Sequence, residues 1–287
     1  MSEEFEKRVK PERFDFLNYD TRADGESSYL WADERGPIPV PEWVITSGDA
    51  VENELGLLKT GKEADVYLVE RTLGDVTNLL AAKRYRDTQH RQFRNDASYR
   101  ASKVNHNTRE ERAAARQTRF GATVRAATWA ANEMARLNRL WAIGVPVPYP
   151  VQRHGTEVML EYIGDADEMA PRLVNAGIKR TDLDDLCAQA IDALRKMTWD
   201  GIVHADLSPY NVLAWEGRLV IIDLPQAIDL DDNPNASDFL QRDVANLIGW
   251  FAKRGVAVSP ESVFADLLDL AFDPGRERGD KRVATAD

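Results

Sequence analysis

The chain has 287 residues, of which 43% are hydrophobic and 30% are charged, and this balance excludes a collagen-like, low-complexity or wholly disordered protein. Its 48 acidic and 37 basic side chains give a net charge of −11, which excludes a surface that is basic throughout and built to bind nucleic acid or anionic membranes. The length corresponds to one large domain or to two lobes that share a core.

The single cysteine and the N-terminus both bear on the compartment. Cys187 cannot form an internal disulfide or supply a multi-cysteine zinc site, so a reducing cytoplasm is the simplest location. Its place in an amphipathic helical stretch predicts a buried structural thiol. The N-terminal sequence MSEEFEKRVK lacks the apolar core of a signal peptide, and no run approaches the ~18 apolar residues that span a bilayer. We therefore expect a cytoplasmic protein without a membrane partner.

The first half of the chain predicts a polar arm followed by a β-rich lobe. Residues 1–50 form the predicted N-terminal arm, which is polar up to about residue 40 and is either flexible or ordered by docking. Residues 51–162 form the predicted N-terminal lobe. Alternating apolar residues and glycine turns predict a three-stranded antiparallel meander and then two more strands. These five strands are ELGLLK, ADVYLVE, NLLAAKRY, VPVPYPVQR and EVMLEYI.

One helix is predicted between the third and fourth of these strands. Apolar side chains recur at steps of three or four, which places one stripe on a helix that Gly144 and Pro146 end. The stripe consists of Val124, Ala127, Ala131, Met134, Leu137 and Trp141.

The second half predicts an α-rich lobe over residues 163–273, and hence an α+β fold of two lobes. Helices are expected at Asp182 to Trp199, at about 239–253 and at 259–271, the last with Ser259 as N-cap. A short strand pair, VLAW and LVIID, follows the first of these helices. Residues 274–287 contain too few apolar side chains to pack, which predicts a disordered tail.

The strongest chemical motif is HADLSPYNVL, which begins at His204. The protein-kinase catalytic loop has an aspartate that handles the acceptor proton and, five residues later, an asparagine that holds a metal ion. Asp206 and Asn211 have that spacing, and Asp223 ends the next apolar strand where a second metal-binding carboxylate belongs. Phosphoryl transfer needs a divalent cation between phosphates, and such cations prefer carboxylate and amide oxygens.

A kinase-like catalytic loop implies a lysine on the third strand and a glutamate on the following helix, because that pair orients the nucleotide phosphates. Lys83 in AAKRY and Glu133 in AANEMARL satisfy both conditions. Taken alone, either residue would be assigned to the solvent-exposed surface. The glycine loop is the weakest element, because KTGKEADVY contains only Gly61 and by itself indicates a hairpin turn.

Taken together, several segments resemble the RIO family of atypical protein kinases, closest to its first branch. The resemblance covers roughly residues 55–254, and it implies a two-lobed protein-kinase-like fold whose activation segment is reduced. The chain departs from the branch at Lys59, where serine is usual. It departs from conventional kinases in having DLP in place of DFG after the metal-binding strand and Ser208 in place of the catalytic-loop lysine. The segments are TGKEADVYLV, AAKRYR, FRNDASYR, WAANEMARL, MLEYIG, HADLSPYNVL, IIDLPQA and RDVANLIGWF.

The resemblance implies a role for each site residue. Asp206 is the expected catalytic aspartate, and Asn211 and Asp223 are the expected ligands of Mg²⁺, with Mn²⁺ as an alternative. The remaining expected nucleotide-binding residues are Lys83, Glu133, Gly61, Lys62, Glu161 and Ile163, the last two at the adenine hinge. The family also implies that Asp223 can accept phosphate as an aspartyl intermediate, which couples ATP turnover to a conformational cycle.

Two other function classes are compatible with parts of the sequence. Small-molecule phosphotransferases of the aminoglycoside- or choline-kinase type also combine an H-x-D-x-x-x-x-N loop with a strand that ends in aspartate, and no A-P-E triplet follows Asp223. The GKEADVY loop and the basic insertion favour the RIO interpretation. A catalytically silent pseudokinase would have lost a catalytic residue, and none is lost.

A local excess of positive charge marks the insertion at about residues 86–122. Residues 84–125 contain 11 Lys or Arg and 4 Asp or Glu, interleaved with aromatic residues. This pattern is compatible with binding to an RNA backbone, although a solvated mobile loop beside the ATP site is the simpler interpretation. The RIO resemblance implies a ribosomal particle as the source of such RNA. The other expected partners are ATP and a protein substrate, which could be the chain itself.

Overall fold

The computed structural model describes residues 27–86 and 119–276, and it contains an antiparallel sheet followed by a helical lobe. The α+β class and the two-lobed arrangement predicted from the sequence are confirmed. The strands are β1 Glu34–Arg35, β2 Val51–Thr60, β3 Ala64–Leu73, β4 Val76–Tyr85, β5 Pro150–His154, β6 Glu157–Glu161, β7 Ile202–Val203, β8 Val212–Trp215, β9 Arg218–Ile221 and β10 Ile228–Asp229. The helices are α1 Arg119–Ala142, α2 Arg180–Asp200, α3 Ala236–Ala252 and α4 Pro260–Ala271, with a short 3-10 helix at Ser28–Trp31.

The first lobe is a six-stranded sheet in the order β1-β5-β6-β4-β3-β2, with every neighbouring pair antiparallel. The predicted meander is β2-β3-β4, and the two later strands are β5 and β6. Lys83 on β4 lies opposite Val66 on β3 and Val158 on β6. Since opposite residues of antiparallel strands project from the same face, these three side chains share one face of the sheet.

Helix α1 buries Met134 and Leu137 as predicted, but its N-terminal half packs on the sheet through a different stripe. Ala126, Ala130 and Met134 are buried against Tyr85 and Val158, whereas the predicted contacts Val124, Ala127 and Ala131 are only partly buried. Alanines at the contact allow the helix to approach the strands closely, and four-residue spacing keeps them on one face. This rotation also brings Glu133 to the inner face of the helix.

The residues directly before β2 are docked onto the sheet, so the docked alternative holds for residues 27–50 of the predicted arm. Arg71 on β3 is completely buried, and its guanidinium donates to Glu52 Oε1 (3.0 Å) and Gln152 Oε1 (2.7 Å). The same Glu52 oxygen accepts from the backbone and the hydroxyl of Ser28. A buried guanidinium and carboxylate are tolerated because each is hydrogen-bonded. The remainder of the arm lies outside the described residues.

The second lobe surrounds one apolar core formed by α2, α3, α4 and the short strands. The predicted helix at 182–199 is confirmed, and Cys187 is buried as expected. Ser259 accepts from Ser262 N and Pro260 occupies the first turn of α4, which confirms the predicted cap. Among the described residues, no helix has the length and apolar character needed to cross a membrane.

The predicted disorder of the tail from residue 274 is wrong for its first residues. Arg276 is 5% exposed, and its guanidinium pairs with Asp231 and donates to Thr198 O. Composition predicted disorder because these residues are polar, but one arginine with a carboxylate and a carbonyl partner can be buried. The residues after 276 are outside the described part of the chain.

Candidate active site

An ion-pair chain connects the two lobes at the base of β4. Lys83 Nζ lies 2.6 Å from Glu133 Oε1 on α1 and 3.0 Å from Asp223 Oδ1, two residues beyond β9. The structure thus brings together three residues that the sequence predicted for one site, although they are 50 and 140 positions apart. A lysine between these two carboxylates is the arrangement that positions nucleotide phosphates and their metal ion in kinase-like sites.

Glu133 is held from both sides within the first lobe. Its side chain is nearly inaccessible, its Oε1 accepts from Lys83, and its Oε2 accepts from the hydroxyl of Tyr85. Each oxygen of this buried carboxylate therefore has a donor, which offsets the cost of removing it from water. Tyr85 fixes the glutamate from the end of the same strand that carries Lys83.

The electrostatics of the ion-pair chain keep Lys83 and Asp223 charged. Burial alone would lower the pKa of Lys83, but the carboxylates of Asp223 and Glu133 raise it well above its ordinary value. Conversely, the Lys83 ammonium lowers the pKa of Asp223 to about 2, against the opposing effect of burial. Asp223 is therefore a carboxylate at neutral pH, which is the form that binds a divalent cation or attacks phosphorus.

The catalytic loop is anchored to α3 by backbone hydrogen bonds. The Asp243 carboxylate accepts from Ala205 N (2.7 Å) and Leu207 N (2.8 Å), the residues on either side of Asp206. Arg242 donates to Ala205 O. Ala205 has a φ of 66°, which is uncommon for a residue other than glycine and requires surrounding contacts to maintain it.

Asp206 and Asn211 occupy one corner of the cleft. The Asn211 side-chain nitrogen donates to Asp206 O (2.8 Å), which orients the amide group, and its Oδ1 is the atom that could bind a cation. Ile222 N donates to Asn211 O (3.0 Å), which places Asn211 next to the backbone that carries Asp223. Asp206 is exposed, as a group that acts on an acceptor must be.

The donor set of this corner fits a magnesium ion that is also held by phosphate. The described residues contain no cluster of three or more His, Cys, Asp or Glu able to hold a metal by themselves. Mg²⁺ in phosphoryl-transfer sites is bound by one or two carboxylates together with substrate phosphates and water, and it does not require an all-protein cage. Asp223 and Asn211 would supply the protein oxygens.

The cleft above Asp223 is roofed by the β2–β3 hairpin. Gly61 lies in its turn and donates to Ala64 O (2.9 Å), and a Cβ at Gly61 would lie 2.9 Å from that carbonyl oxygen, so only glycine fits without a shift. Lys62 is exposed and does not line the cleft. The lining residues are Lys59, Gly61, Glu63, Ala64, Val66, Lys83, Tyr85, Asp223 and Pro225.

The two expected hinge residues lie in the connection between the lobes and outside this lining. The Glu161 carboxylate accepts from Tyr149 N (3.0 Å), and Ile163 is buried with its carbonyl bonded to Ala170 N. Burial raises the pKa of Glu161, although the hydrogen bond from Tyr149 N lowers it. Their side chains thus hold the connection in place, and contact with adenine stays a prediction for both.

Sequence reasoning assigned no role to Asp243, although it lies within a quoted segment, RDVANLIGWF. Burial raises the pKa of Asp243 to about 7, while its two backbone donors lower it. It is nearly inaccessible and far from the loop in sequence, so only the packing of α3 reveals it as the residue that positions Asp206. A buried aspartate on an otherwise apolar helix face is the signal that could have identified it.

The buried histidine of the catalytic loop gives the fold a measurable pH dependence. Its Nε2 donates to Ile222 O (3.1 Å), yet burial lowers the pKa of His204 below the 6.5 of an unfolded histidine. Below pH 6.5 the unfolded chain therefore binds a proton that the folded chain does not. The contribution of His204 to the free energy of unfolding is thus complete above pH 6.5 and falls below it, by at most about 1.4 kcal/mol per pH unit.

We expect His204→Gln, which retains a hydrogen-bond donor but cannot titrate, to abolish this fall in the free energy of unfolding at low pH. The measurement is the free energy of unfolding in urea for both proteins between about pH 7 and pH 5.5. The raised pKa of Asp243 contributes a slope of opposite sign to both proteins, so only their difference is informative. An identical pH dependence in the variant and the wild type would show that His204 is not the responsible group.

Comparison with known proteins identifies the family. The RIO domain matches residues 65–263, which run from β3 into the first turn of α4 and include all three residues of the ion-pair chain. The chain is similar to the serine/threonine-protein kinase RIO1 of Caenorhabditis elegans, with 31% identity over 222 residues, 75% of this chain and 40% of that protein. It is also similar to the RIO-type serine/threonine-protein kinase Rio1 of Haloferax volcanii, with 30% identity over 213 residues, 73% of this chain and 67% of that protein.

The human serine/threonine-protein kinase RIO1 is 35% identical over 148 residues, 51% of this chain and 25% of that protein. The chain thus spans less than half the length of the Caenorhabditis and human relatives that it matches. The match to the domain covers well over half of the chain. On this basis the chain belongs to the RIO domain family.

Proposed function

We propose that the protein is an ATP-dependent serine/threonine kinase of the RIO type that binds nucleotide between its two lobes. The observation that carries the proposal is the contact of Lys83 Nζ with both Glu133 and Asp223, at 2.6 Å and 3.0 Å. This chain of charges joins the phosphate-orienting lysine of one lobe to the metal-binding carboxylate of the other. The names of the relatives, all serine/threonine kinases, support the same reaction.

In this proposal each group of the site has one task. Lys83 orients the phosphates, Asn211 and Asp223 hold Mg²⁺ or Mn²⁺, and Asp206 accepts the proton of the attacking hydroxyl. The metal, when bound, neutralises charge that develops on the phosphoryl oxygens. Asp243 keeps the backbone on both sides of Asp206 in place.

The molecule that accepts the phosphoryl group is the least constrained part of the proposal. Only residues 224–235 separate Asp223 from α3, which leaves little chain for a peptide-binding shelf. The short connection suits an acceptor on a folded partner, on the chain itself or on Asp223. It is also the observation that favours a small-molecule phosphotransferase as the second candidate.

A ribosomal or RNA partner is proposed only through the basic residues 84–125, most of which lie outside the described residues. The first two of those basic residues already have acidic partners. Arg84 Nη1 lies 2.6 Å from Glu54, and the Arg86 guanidinium pairs with Asp65. Any contact with an RNA backbone would therefore depend on the arginines and lysines that follow.

The fate of the γ-phosphate of labelled ATP tests the proposed function. With Mg²⁺ or Mn²⁺ we expect label on the protein together with slow release of phosphate. With a chelator we expect neither product, because the metal would supply the charge neutralisation that phosphoryl transfer requires. Nucleotide with Mg²⁺ should also raise the melting temperature by preferential binding to the folded state.

Two results would contradict the proposal. Stoichiometric transfer of the label to an aminoglycoside or a choline-like alcohol would favour the small-molecule phosphotransferase. No label, no phosphate release and no change in melting temperature at millimolar nucleotide would exclude nucleotide turnover altogether.

A further inference from the structure

A second lysine projects over the phosphate end of the cleft. Lys59 on β2 lies opposite Val66 on β3, and Val66 lies opposite Lys83 on β4. Residues in register across antiparallel strands project from the same face, so the three side chains form one row on the cleft face of the sheet. Two strand spacings separate Lys59 from Lys83, which corresponds to roughly 10 Å between their backbones.

The two lysines of this row differ in their partners. Lys83 is engaged by Glu133 and Asp223, and only 11% of its side chain is exposed. Lys59 is exposed at the mouth of the cleft, and no carboxylate in residues 27–86 or 119–276 forms an ion pair with it. Its ammonium is therefore available to an anion that enters the cleft.

The charges around Lys59 place it over the end of the cleft where phosphoryl transfer is proposed. Partial burial lowers the pKa of Lys59, and the largest charge effect is that of Asp223, which raises it. Arg172 and Lys83 lower the same pKa, whereas Glu63 raises it. Arg172 belongs to the other lobe, where it forms a backbone bridge with Leu213, two residues after Asn211. Lys59 thus shares one electrostatic environment with the expected metal corner.

We propose that Lys59 binds the terminal phosphate of the nucleotide and thereby makes the cleft prefer ATP to ADP. The inference rests on the proposed function and assigns to it a residue outside the expected nucleotide-binding set. Lys83, held between two carboxylates, is suited to the inner phosphates, and Lys59 supplies to the same cleft a positive charge without an ion-pair partner among the described residues. A point charge on a flexible stem can follow the terminal phosphate without a fixed geometry.

The test compares the affinities of Lys59 variants for the β,γ-imido analogue of ATP and for ADP, both with Mg²⁺, by isothermal titration calorimetry. In Lys59→Gln we expect the ATP analogue to bind ~10- to 100-fold more weakly, the usual effect of losing one charge-assisted hydrogen bond. ADP, which lacks the terminal phosphate, should change less than about threefold. Lys59→Arg should restore the preference, because it restores the charge.

Two controls separate a phosphate contact from an effect on folding. Lys253→Gln removes an exposed lysine at the end of α3 and should leave both affinities unchanged. The melting temperature of Lys59→Gln without nucleotide should equal that of the wild type, since an exposed side chain without an ion pair contributes little to stability.

The inference is overturned if Lys59→Gln weakens both nucleotides equally or leaves both unchanged while the wild type binds them. A wild type that binds neither nucleotide would instead exclude the proposed function, and this inference with it. A wild-type preference for ATP that declines with rising salt, with no such decline in Lys59→Gln, would support the charge contact.

Discussion

Replacement of Asp206 by asparagine is expected to lower turnover ~10² to 10⁴-fold, the usual effect of removing a general base. Nucleotide affinity should remain within about threefold of the wild type, because the proposed function assigns the phosphates to Lys83 and the metal. The structure separates these tasks spatially. Asp206 is exposed and, within residues 27–86 and 119–276, its side chain accepts from Asn211, whereas Lys83 is largely buried against Glu133. The measurements are steady-state phosphate transfer and calorimetric titration with ADP and Mg²⁺.

Asparagine is a suitable replacement because its side-chain oxygen can still accept from Asn211 Nδ2. The backbone of the loop is fixed independently through Asp243, so the variant should fold with the loop intact. Asp192→Asn, an exposed aspartate on α2, is the matched control and should retain wild-type turnover. Wild-type turnover in Asp206→Asn would mean that another group removes the proton or that the motif has been misassigned.

The sequence predicted the elements best where local patterns determine structure. The meander β2-β3-β4 follows from alternating apolar residues and glycine turns, and α2 from apolar spacing at Leu183, Leu186 and Cys187, all of which are buried. The cap at Ser259 also depends on residues that are adjacent in sequence. Local rules suffice for these elements because their patterns do not depend on distant partners.

Local patterns were insufficient where packing selects among equivalent faces. Helix α1 has enough alanines for more than one apolar stripe, and its contact with Tyr85 and Val158 selects the one that buries Ala126 and Ala130. Similarly, the docking of residues 27–50 depends on Arg71, which is paired with Glu52 across the sheet. Charged residues of this kind are normally assigned to the surface, and only their partners reveal that they are buried.

For the site, motif spacing identified Lys83, Glu133, Asn211 and Asp223 but could not describe their contacts. The lysine–glutamate pair depends on how α1 packs on the sheet, and the contact of Lys83 with Asp223 depends on how the lobes meet. The supporting residues Tyr85 and Asp243 do not occur at a fixed distance from any motif residue that could have identified them from the sequence. They act by fixing a partner, and such roles become visible only when distances are known.

Asp223→Asn is the second variant with a large expected effect, because two roles for Asp223 make different demands. As a metal ligand, the carboxylate stays on Mg²⁺ and the phosphoryl group leaves for another molecule. As an acceptor, one carboxylate oxygen forms a bond to the γ-phosphorus while the bond from that phosphorus to the β–γ bridging oxygen breaks and ADP departs. The product is an acyl phosphate, which hydroxylamine cleaves, whereas phosphoserine resists hydroxylamine.

Geometry makes asparagine the right replacement at this position. Asp223 has a φ of 70°, a left-handed conformation that asparagine tolerates better than most residues, so the backbone should keep its course. The asparagine oxygen can also still accept from Lys83, which lies 3.0 Å from Asp223 Oδ1. Loss of function in this variant can therefore be attributed to the loss of the carboxylate rather than to unfolding.

We expect wild-type protein incubated with labelled ATP and Mg²⁺ to carry hydroxylamine-sensitive label, and Asp223→Asn to carry none. Lys83 lowers the pKa of Asp223 to about 2, so the carboxylate is ionised at neutral pH, as both roles require. Asp206→Asn discriminates between the two roles: a carboxylate acceptor has no proton to remove, so the label should still form there even though transfer to a hydroxyl is lost. Label that resists hydroxylamine and maps to serine would instead make Asp223 a metal ligand alone, in an autophosphorylating serine kinase.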